Sequence, residues 1–306
     1  MTCAGIGIEG HLERILSGYK CKRKFSIRSG GNFALTGFFK KRGSEERNTG
    51  RQKVKRMPGL KAGKKDLEVS MTEKQKIRLE MEKERIRGMR EFENGLVREA
   101  LGTNLRAKDP SGDESEDNSG DNMILIAGID EAGRGPLAGP VAAGAVILPA
   151  DHDILYLNDS KKLSAGKRDL LFDQIKEEAV AWAVGLVEPA RIDEINILQA
   201  TYEAMRLAIS QLKTQPSVLV NDAVTIPGIQ IQQIPVVKGD AKCISIAAAS
   251  ILAKVTRDRI MEEMDGLYPE YGFAKHKGYG TKEHMDAIRT HGPCPIHRRS
   301  FITRIV

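Results

Sequence analysis

Hydrophobic and polar positions are patterned differently along different stretches of the chain. Residues 1–70 show no sustained period, many glycines, and basic clusters at 20–24, 40–42 and 51–56, the pattern of a solvated arm of low order. From Thr72 the pattern changes. Ile77, Met81, Ile86, Met89, Phe92 and Leu96 recur at roughly helical spacing among Glu, Lys and Arg, which predicts one amphipathic helix within 71–107, with Thr72 as its cap. Its apolar stripe is expected to lie on the following domain, and Gly88 and Gly95 weaken it. Residues 108–122 combine Pro, Gly, Ser and acids with almost nothing to bury, and read as a linker.

Residues 123–306 have the pattern of a packed α/β domain. Strands are expected at 124–132, 141–149, 181–188, 217–223 and 231–240, and helices at 164–179 (capped by Ser164), 197–212, 243–264 and 281–292. A hairpin-like start followed by alternation of strand and helix predicts a mixed five-stranded sheet flanked by helices.

Composition narrows the classes. With 41% apolar and 29% charged residues among 306, the chain has enough to bury a sizeable core, and disorder throughout is excluded. Cys3, Cys21, Cys243 and Cys294 form no C-x-x-C pair, which argues against a zinc ribbon or a disulfide framework and for a reducing compartment. No apolar run reaches the roughly 18 residues of a membrane span, and no signal-peptide core is seen, so a soluble cytoplasmic protein is expected. The net charge of +7 misleads, because residues 1–65 carry +13 and residues 123–306 carry −1. A nucleic-acid partner of the C-terminal part must therefore be met by local basic patches and metal ions rather than by overall charge.

Four acids sit where a strand pattern calls for apolar residues or a turn: Asp130 and Glu131 ending the first strand, Asp222 ending the fourth, and Asp240 before the long Ala-rich helix. Acids gathered at one sheet edge repel one another, and the arrangement becomes favourable when hard cations such as Mg²⁺ or Mn²⁺ bind between them. Each acid alone reads equally as a turn former or cap. Adjacent strand residues also face opposite sides, so Asp130 and Glu131 share a site only where the strand bends or ends. Gly133 and Gly135, flanking Arg134, permit such a departure and a close backbone approach to a ligand, although a wide turn explains them as well.

Six ordered segments, GIDEAGRGPLAGPVAAGAVIL (128–148), NDSKKLS (158–164), VNDA (220–223), KGDAKCISIAAASILAKVTRDR (238–259), YPEYGFAKHKGYGTKEH (268–284) and GPCPIHRRSF (292–301), together resemble bacterial ribonuclease HII. The resemblance implies a ribonuclease H-like fold and a two-metal hydrolase dependent on Mn²⁺ or Mg²⁺. Such an enzyme cuts the RNA strand of RNA–DNA hybrids and cuts 5′ of single ribonucleotides embedded in duplex DNA, leaving 3′-hydroxyl and 5′-phosphate ends. It implies that Asp130, Glu131, Asp222 and Asp240 hold the metals. It also implies that Gly133, Arg134 and Gly135 contact the ribose 2′-hydroxyl and neighbouring phosphates, and that Tyr279 stacks on a sugar. Lys161 and Lys162 are candidates for phosphate contacts, and His276, Lys277, His297, Arg298 and Arg299 either line the duplex path or are ordinary surface charge. The sister family, ribonuclease HIII, carries an N-terminal domain of strands for which residues 1–122 show no pattern.

The chain ahead of residue 123 departs from the resemblance apart from its helix. Asn32, Leu35, Phe38 and Phe39 follow the spacing of a peptide that binds a sliding clamp, which would make a weak clamp contact a partner of the arm. A monomer is expected. The alternative to an endoribonuclease is a non-catalytic module that binds RNA–DNA hybrid, although clustered acids facing phosphate do not serve a binder. A third reading, a structural or interaction protein built on the helix and arm, predicts that residues 1–122 carry the function.

Overall fold

A computed structural model of the chain describes residues 72–102 and 124–306. The basic arm of residues 1–70 with its clamp-like spacing at 32–39, and the acidic stretch 108–122, lie outside the described residues.

Helix α1 (Glu73–Leu101) begins with a reciprocal cap. The Thr72 N–H donates to Gln75 Oε1 (2.8 Å) and the Gln75 N–H to Thr72 Oγ1 (3.4 Å). The buried face keeps part of the expected stripe: Ile86 and Met89 are buried, Ile77, Met81 and Phe92 are exposed, and Glu93 and Val97 are buried beside the first two. The four buried residues share a single 3.6-residue face on which a carboxylate takes an apolar place.

The sheet comprises β1 (Ile126–Ala132), β2 (Val141–Ile147), β3 (Ala181–Val187), β4 (Val218–Asp222) and β5 (Gln232–Val236), in the order β3-β2-β1-β4-β5. β1, β2 and β3 pair antiparallel, and β1–β4 and β4–β5 pair parallel. The fifth strand is shorter than expected because Lys238 enters the left-handed region (φ 57°) and turns the chain. Helices α2 (Ala165–Glu178), α3 (Pro189–Ser210), α4 (Ile244–Leu267), α5 (Phe273–His276), α6 (Lys282–His291) and α7 (Arg299–Ile302) complete the fold. Ser164 caps α2 as expected, accepting the Lys167 N–H. α3 breaks at Asn196 (φ 66°, ψ 165°), whose Oδ1 accepts the N–H groups of Leu198 (3.0 Å) and Gln199 (3.2 Å). Asn196 thus caps a second helical segment that starts at 197, where the sequence pattern places it.

Strand alternation sends Ala127, Ile129, Ala143 and Ala145 to one face, where they pack with Ala204 and Ala208 of α3. The opposite face lies against α4. A Cβ on Gly128 would stand 2.1 Å from the Ser245 carbonyl carbon, and one on Gly144 2.3 Å from the Ala249 oxygen, so glycine at both positions lets the helix backbone touch the sheet. Val97 of α1 joins Val218, Val220, Val236 and Ile246 in a cluster at the β4–β5 edge, and residues 77–306 form one compact unit. Each fully buried aliphatic side chain of this kind contributes about 1.5–3 kcal/mol. Among the described residues, no helix is long and apolar enough to cross a membrane.

Candidate active site

The parallel pairing of β1 with β4 sets Ile129 beside Asn221, which brings the next residues, Asp130 and Asp222, side by side on the α4 face. Asp130 is buried. Burial raises it well above the ordinary carboxylate range, and the charges of Glu131, Asp222 and Asp240 raise it further. Its Oδ1 accepts the Glu131 N–H (2.7 Å). Asp222 accepts the Gly239 N–H (2.7 Å), which ties the end of β4 to the segment that carries Asp240. The residue after it, Ala223, is left-handed (φ 57°), a conformation that costs a non-glycine residue about 1 kcal/mol and concentrates at functional sites. Burial raises Asp240, and Asp159 and Asp222 raise it further, while Lys161 opposes them.

β1 stays regular through Ala132, so Glu131 starts on the opposite face from Asp130. Its carboxylate meets Arg134 (3.3 Å), and burial raises it against the pull of Arg134 and Lys161. Among the described residues, no three Asp, Glu, His or Cys side chains already converge as metal ligands. The donor set nevertheless fits a hard divalent ion. It offers oxygen only, with a buried carboxyl group whose pKa is raised first by burial and then by the charges of three neighbours, a repulsion that a cation would relieve. Asn221, one residue from Asp222, faces away and donates to the oxygens of Val224 and Gln233.

The loop after β1 is clamped from behind. Arg298, fully buried, donates to the carbonyls of Gly133 (2.6 Å), Arg134 (2.9 Å) and Gly139 (3.0 and 2.8 Å). Arg257, also buried, donates to those of Ala138, Pro140 and Lys277. In a planar trans peptide the N–H points opposite to the C=O. Holding the Gly133 and Arg134 carbonyls inward therefore turns the N–H groups of Arg134 and Gly135 outward, and neither finds a backbone acceptor among the described residues. Gly133 (φ +94°) is required by its conformation and because a Cβ would strike Arg257 Nε at 2.2 Å. At Gly135 a Cβ would meet only Tyr279, at an ordinary 3.8 Å, which brings that half-exposed ring to the loop's outer side.

Tyr279 is held by buried histidines. Its carbonyl lies 2.9 Å from His284 Nδ1, and its N–H donates to the His276 carbonyl (2.9 Å). A carbonyl only accepts, so His284 carries its proton on Nδ1. Its Nε2 must then accept from His297 Nε2 (3.0 Å), which leaves His297 Nδ1 to accept the Cys294 N–H (3.0 Å). Burial pushes both His284 and His297 down to about 4, so the chain of rings is neutral at physiological pH. An unfolded imidazole binds its proton near pH 6.5. The stability that these two rings contribute is therefore intact above that pH and is lost as pH falls from 6.5 to 4, by roughly 3 kcal/mol for each ring. A His284→Phe protein is expected to be less stable at pH 7 yet to show a shallower fall in unfolding free energy between pH 6.5 and 4. Denaturant titrations giving parallel curves for the two proteins would contradict this.

Asp130, Glu131, Asp222, Asp240 and Lys161 are thus electrostatic neighbours, and Gly133, Arg134, Gly135 and Tyr279 form a second, adjoining group. The assignment of His276, His297 and Arg298 to a duplex path or to surface charge is corrected: all three are buried and bonded to the protein itself. Lys277 pairs with Glu262, and the exposed Arg299 leans its N–H on Asp193. Sequence reasoning passed over Asp159, Arg257 and Glu93. Asp159, in NDSKK beside Lys161, and Arg257, in the stretch 238–259, stood within segments already singled out, whereas Glu93 did not.

A mixed five-stranded sheet in this order, flanked by helices on both faces, is the ribonuclease H-like fold. Residues 127–304 match the family model described as Ribonuclease HII. The chain belongs to the ribonuclease HII family and is a type 2 ribonuclease H, a class that depends on divalent metal. It is 62% identical to the ribonuclease HII of Lachnoclostridium phytofermentans over 180 residues, 59% of this chain and 71% of that protein. It is 50% identical to that of Caldanaerobacter subterraneus subsp. tengcongensis over 242 residues, 79% and 91% of the two chains. Among solved structures, the ribonuclease H2 of Pyrococcus horikoshii OT3 is 31% identical, with a TM-score of 0.51 over 60% of this chain and 97% of that one.

Proposed function

We propose that the chain is an endoribonuclease that hydrolyses the RNA strand of RNA–DNA hybrids and also cuts 5′ of single ribonucleotides in duplex DNA, leaving 3′-hydroxyl and 5′-phosphate ends. Two divalent ions, Mn²⁺ or Mg²⁺, are held by Asp130, Glu131, Asp222 and Asp240. Bound there, they lower the pKa of an attacking water and stabilise the leaving oxygen. The observation that carries this reading is the buried Asp130, repelled by three carboxylates, beside a loop with two outward N–H groups.

The chain's own residues supply the selectivity. The N–H groups of Arg134 and Gly135 read the 2′-hydroxyl, the one group that separates RNA from DNA at a single nucleotide. The exposed guanidinium of Arg134 and the ammonium of Lys161 meet phosphates, and Tyr279 offers a face to the adjoining sugar. The protein acts as a monomer in the cytoplasm, on hybrid duplex and ribonucleotide-containing DNA.

The test is cleavage of a labelled DNA duplex with one ribonucleotide, with Mn²⁺, Mg²⁺ or a chelator, beside an all-DNA duplex. Cutting 5′ of the ribonucleotide that vanishes with chelator, and an intact all-DNA control, are expected. A folded protein that binds the duplex and never cuts it would replace this reading with a hybrid-binding module.

A further inference from the structure

The long helix α4 begins beside the candidate metal site, and its N-cap residue, Cys243, makes no side-chain cap. The cap comes instead from α1. Glu93, 4% exposed, places Oε2 at 2.6 Å from Ser245 Oγ and 3.1 Å from the Ser245 N–H, so both donate to it. Ser245 lies in the first turn of α4, where N–H groups have no partner within the helix and a carboxylate is favoured. The two residues stand 152 positions apart in sequence.

Ser245 connects to the site in two directions. Its carbonyl carbon rests where a Cβ of Gly128 would be, two residues before Asp130. In the other direction the Cys243 and Lys242 N–H groups donate to the Gly239 carbonyl (2.7 and 3.0 Å), closing the short 3-10 turn Gly239–Ala241 that bears Asp240, while the Gly239 N–H binds Asp222. α1 also grips the segment that leads to Asp159 and Lys161. Arg85 donates to the Leu157 carbonyl (2.7 Å), Arg90 to the His152 carbonyl (2.8 Å), and Glu82 accepts the Tyr156 N–H (2.8 Å) at a left-handed residue (φ 65°). Asp159 and Lys161 are, with Asp222, the charged groups that act on Asp240.

We infer that Glu93 is a positioning residue for the metal centre: by capping α4 it fixes the turn that presents Asp240, and α1 is a working part of the active site. This rests on the metal assignment proposed above. It gives the described part of residues 1–122 a role in the core activity, because that part supplies the cap.

The test uses full-length protein with Glu93→Ala, Glu93→Gln, Ser245→Ala and Asp222→Asn, with circular dichroism to check folding. Mn²⁺ binding is measured by titration calorimetry, and the Mn²⁺ concentration for half-maximal cleavage is measured in parallel. Groups bonded directly to metal ligands are typically worth 10–100-fold in affinity, and Glu93, which acts one step further out through Ser245, is expected at the lower end. Glu93→Ala is expected to weaken Mn²⁺ binding by about tenfold and to raise the half-maximal Mn²⁺ concentration equally, while leaving kcat at saturating Mn²⁺ within a few-fold. Glu93→Gln, which keeps an oxygen for Ser245, is expected to recover most of the loss. Ser245→Ala, which spares the N–H bond and the fold, is expected to fall between them. Mn²⁺ binding unchanged in folded Glu93→Ala or Ser245→Ala protein, with only thermal stability reduced, would overturn the inference and leave α1 a scaffold. Asp222→Asn protein that still binds Mn²⁺ like wild type would overturn the metal assignment itself and take the inference with it.

Discussion

Asp130→Asn protein is expected to lose cleavage while gaining stability in the absence of metal. In the wild type a buried carboxylate faces the charges of Glu131, Asp222 and Asp240, and both burial and repulsion raise its pKa. A group whose folded pKa lies above its unfolded value destabilises the fold once pH exceeds the unfolded value, and increasingly so until the folded pKa is passed. Asparagine has nearly the same shape, carries no charge, and brings an N–H₂ that neighbouring carboxylates accept. Metal-free Asp130→Asn should therefore unfold about 1–3 kcal/mol later than wild type at pH 8, with the difference closing near pH 4, where Asp130 is already neutral. Added Mn²⁺ should reverse the order, because an ion that binds only the folded wild type stabilises it by mass action. Activity should fall by at least about 10³-fold, the equivalent of the several kcal/mol that a correctly held metal supplies to a developing charge. Thermal melts with chelator and with Mn²⁺, alongside the duplex cleavage assay, check each part. Asp130→Asn protein that cuts at the wild-type rate, or that is less stable than wild type at pH 8 without metal, would refute the account of this carboxylate.

The acids of the site were legible in the sequence because they break a pattern. A carboxylate at the end of an apolar strand, as at Asp130 and Asp222, is expensive to bury and so announces a reason. The buried face of α1 was misread in part, for the converse reason. Phe92 looks like core and Glu93 like solvent in one dimension, yet Glu93 is the buried one because Ser245, 152 residues away, satisfies it. The burial of Arg257, Arg298 and the histidines is hidden from the sequence in the same way. Their partners are backbone carbonyls and other rings, which leave no trace in side-chain chemistry, and the Gly133 carbonyl that accepts from Arg298 is 165 positions distant. The fold was more legible than its irregularities. Alternation located the five strands and the main helices, whereas the first segment of α3 carries one buried isoleucine, Ile192, and too little period to be seen before Asn196 restarts the helix.

Arg298 carries the second large effect. Its guanidinium has no carboxylate within salt-bridge distance among the described residues, and it reaches three carbonyls with four hydrogen bonds. Burial, with a smaller push from Arg257, lowers it to about 9, so it remains charged at neutral pH. A charged donor bonded to three carbonyls of one loop fixes peptide orientation there more firmly than any neutral group can. Arg298→Ala leaves those carbonyls buried without partners and opens a cavity, a loss of about 3–5 kcal/mol. Arg298→Lys is the sharper probe, since it retains the charge but offers a point donor in place of a planar fork. It is expected to fold with roughly 2 kcal/mol less stability, and to lose on the order of 10²-fold in kcat/KM on a single-ribonucleotide duplex through misplacement of the Arg134 and Gly135 N–H groups. Mn²⁺ affinity should stay within a few-fold of wild type, because Asp130, Asp222 and Asp240 are held by β1, β4 and the turn 239–241, and only Glu131 adjoins the loop through Arg134. Exposed Arg134 supplies the comparison. Arg134→Ala should leave the melting temperature nearly unchanged and act mainly on substrate binding, more strongly at low salt, with a smaller effect on metal binding through the lost pairing with Glu131. Wild-type kcat/KM in Arg298→Lys protein would mean that Arg257 and the backbone bonds of Leu137 and Gly139 hold the recognition loop without it.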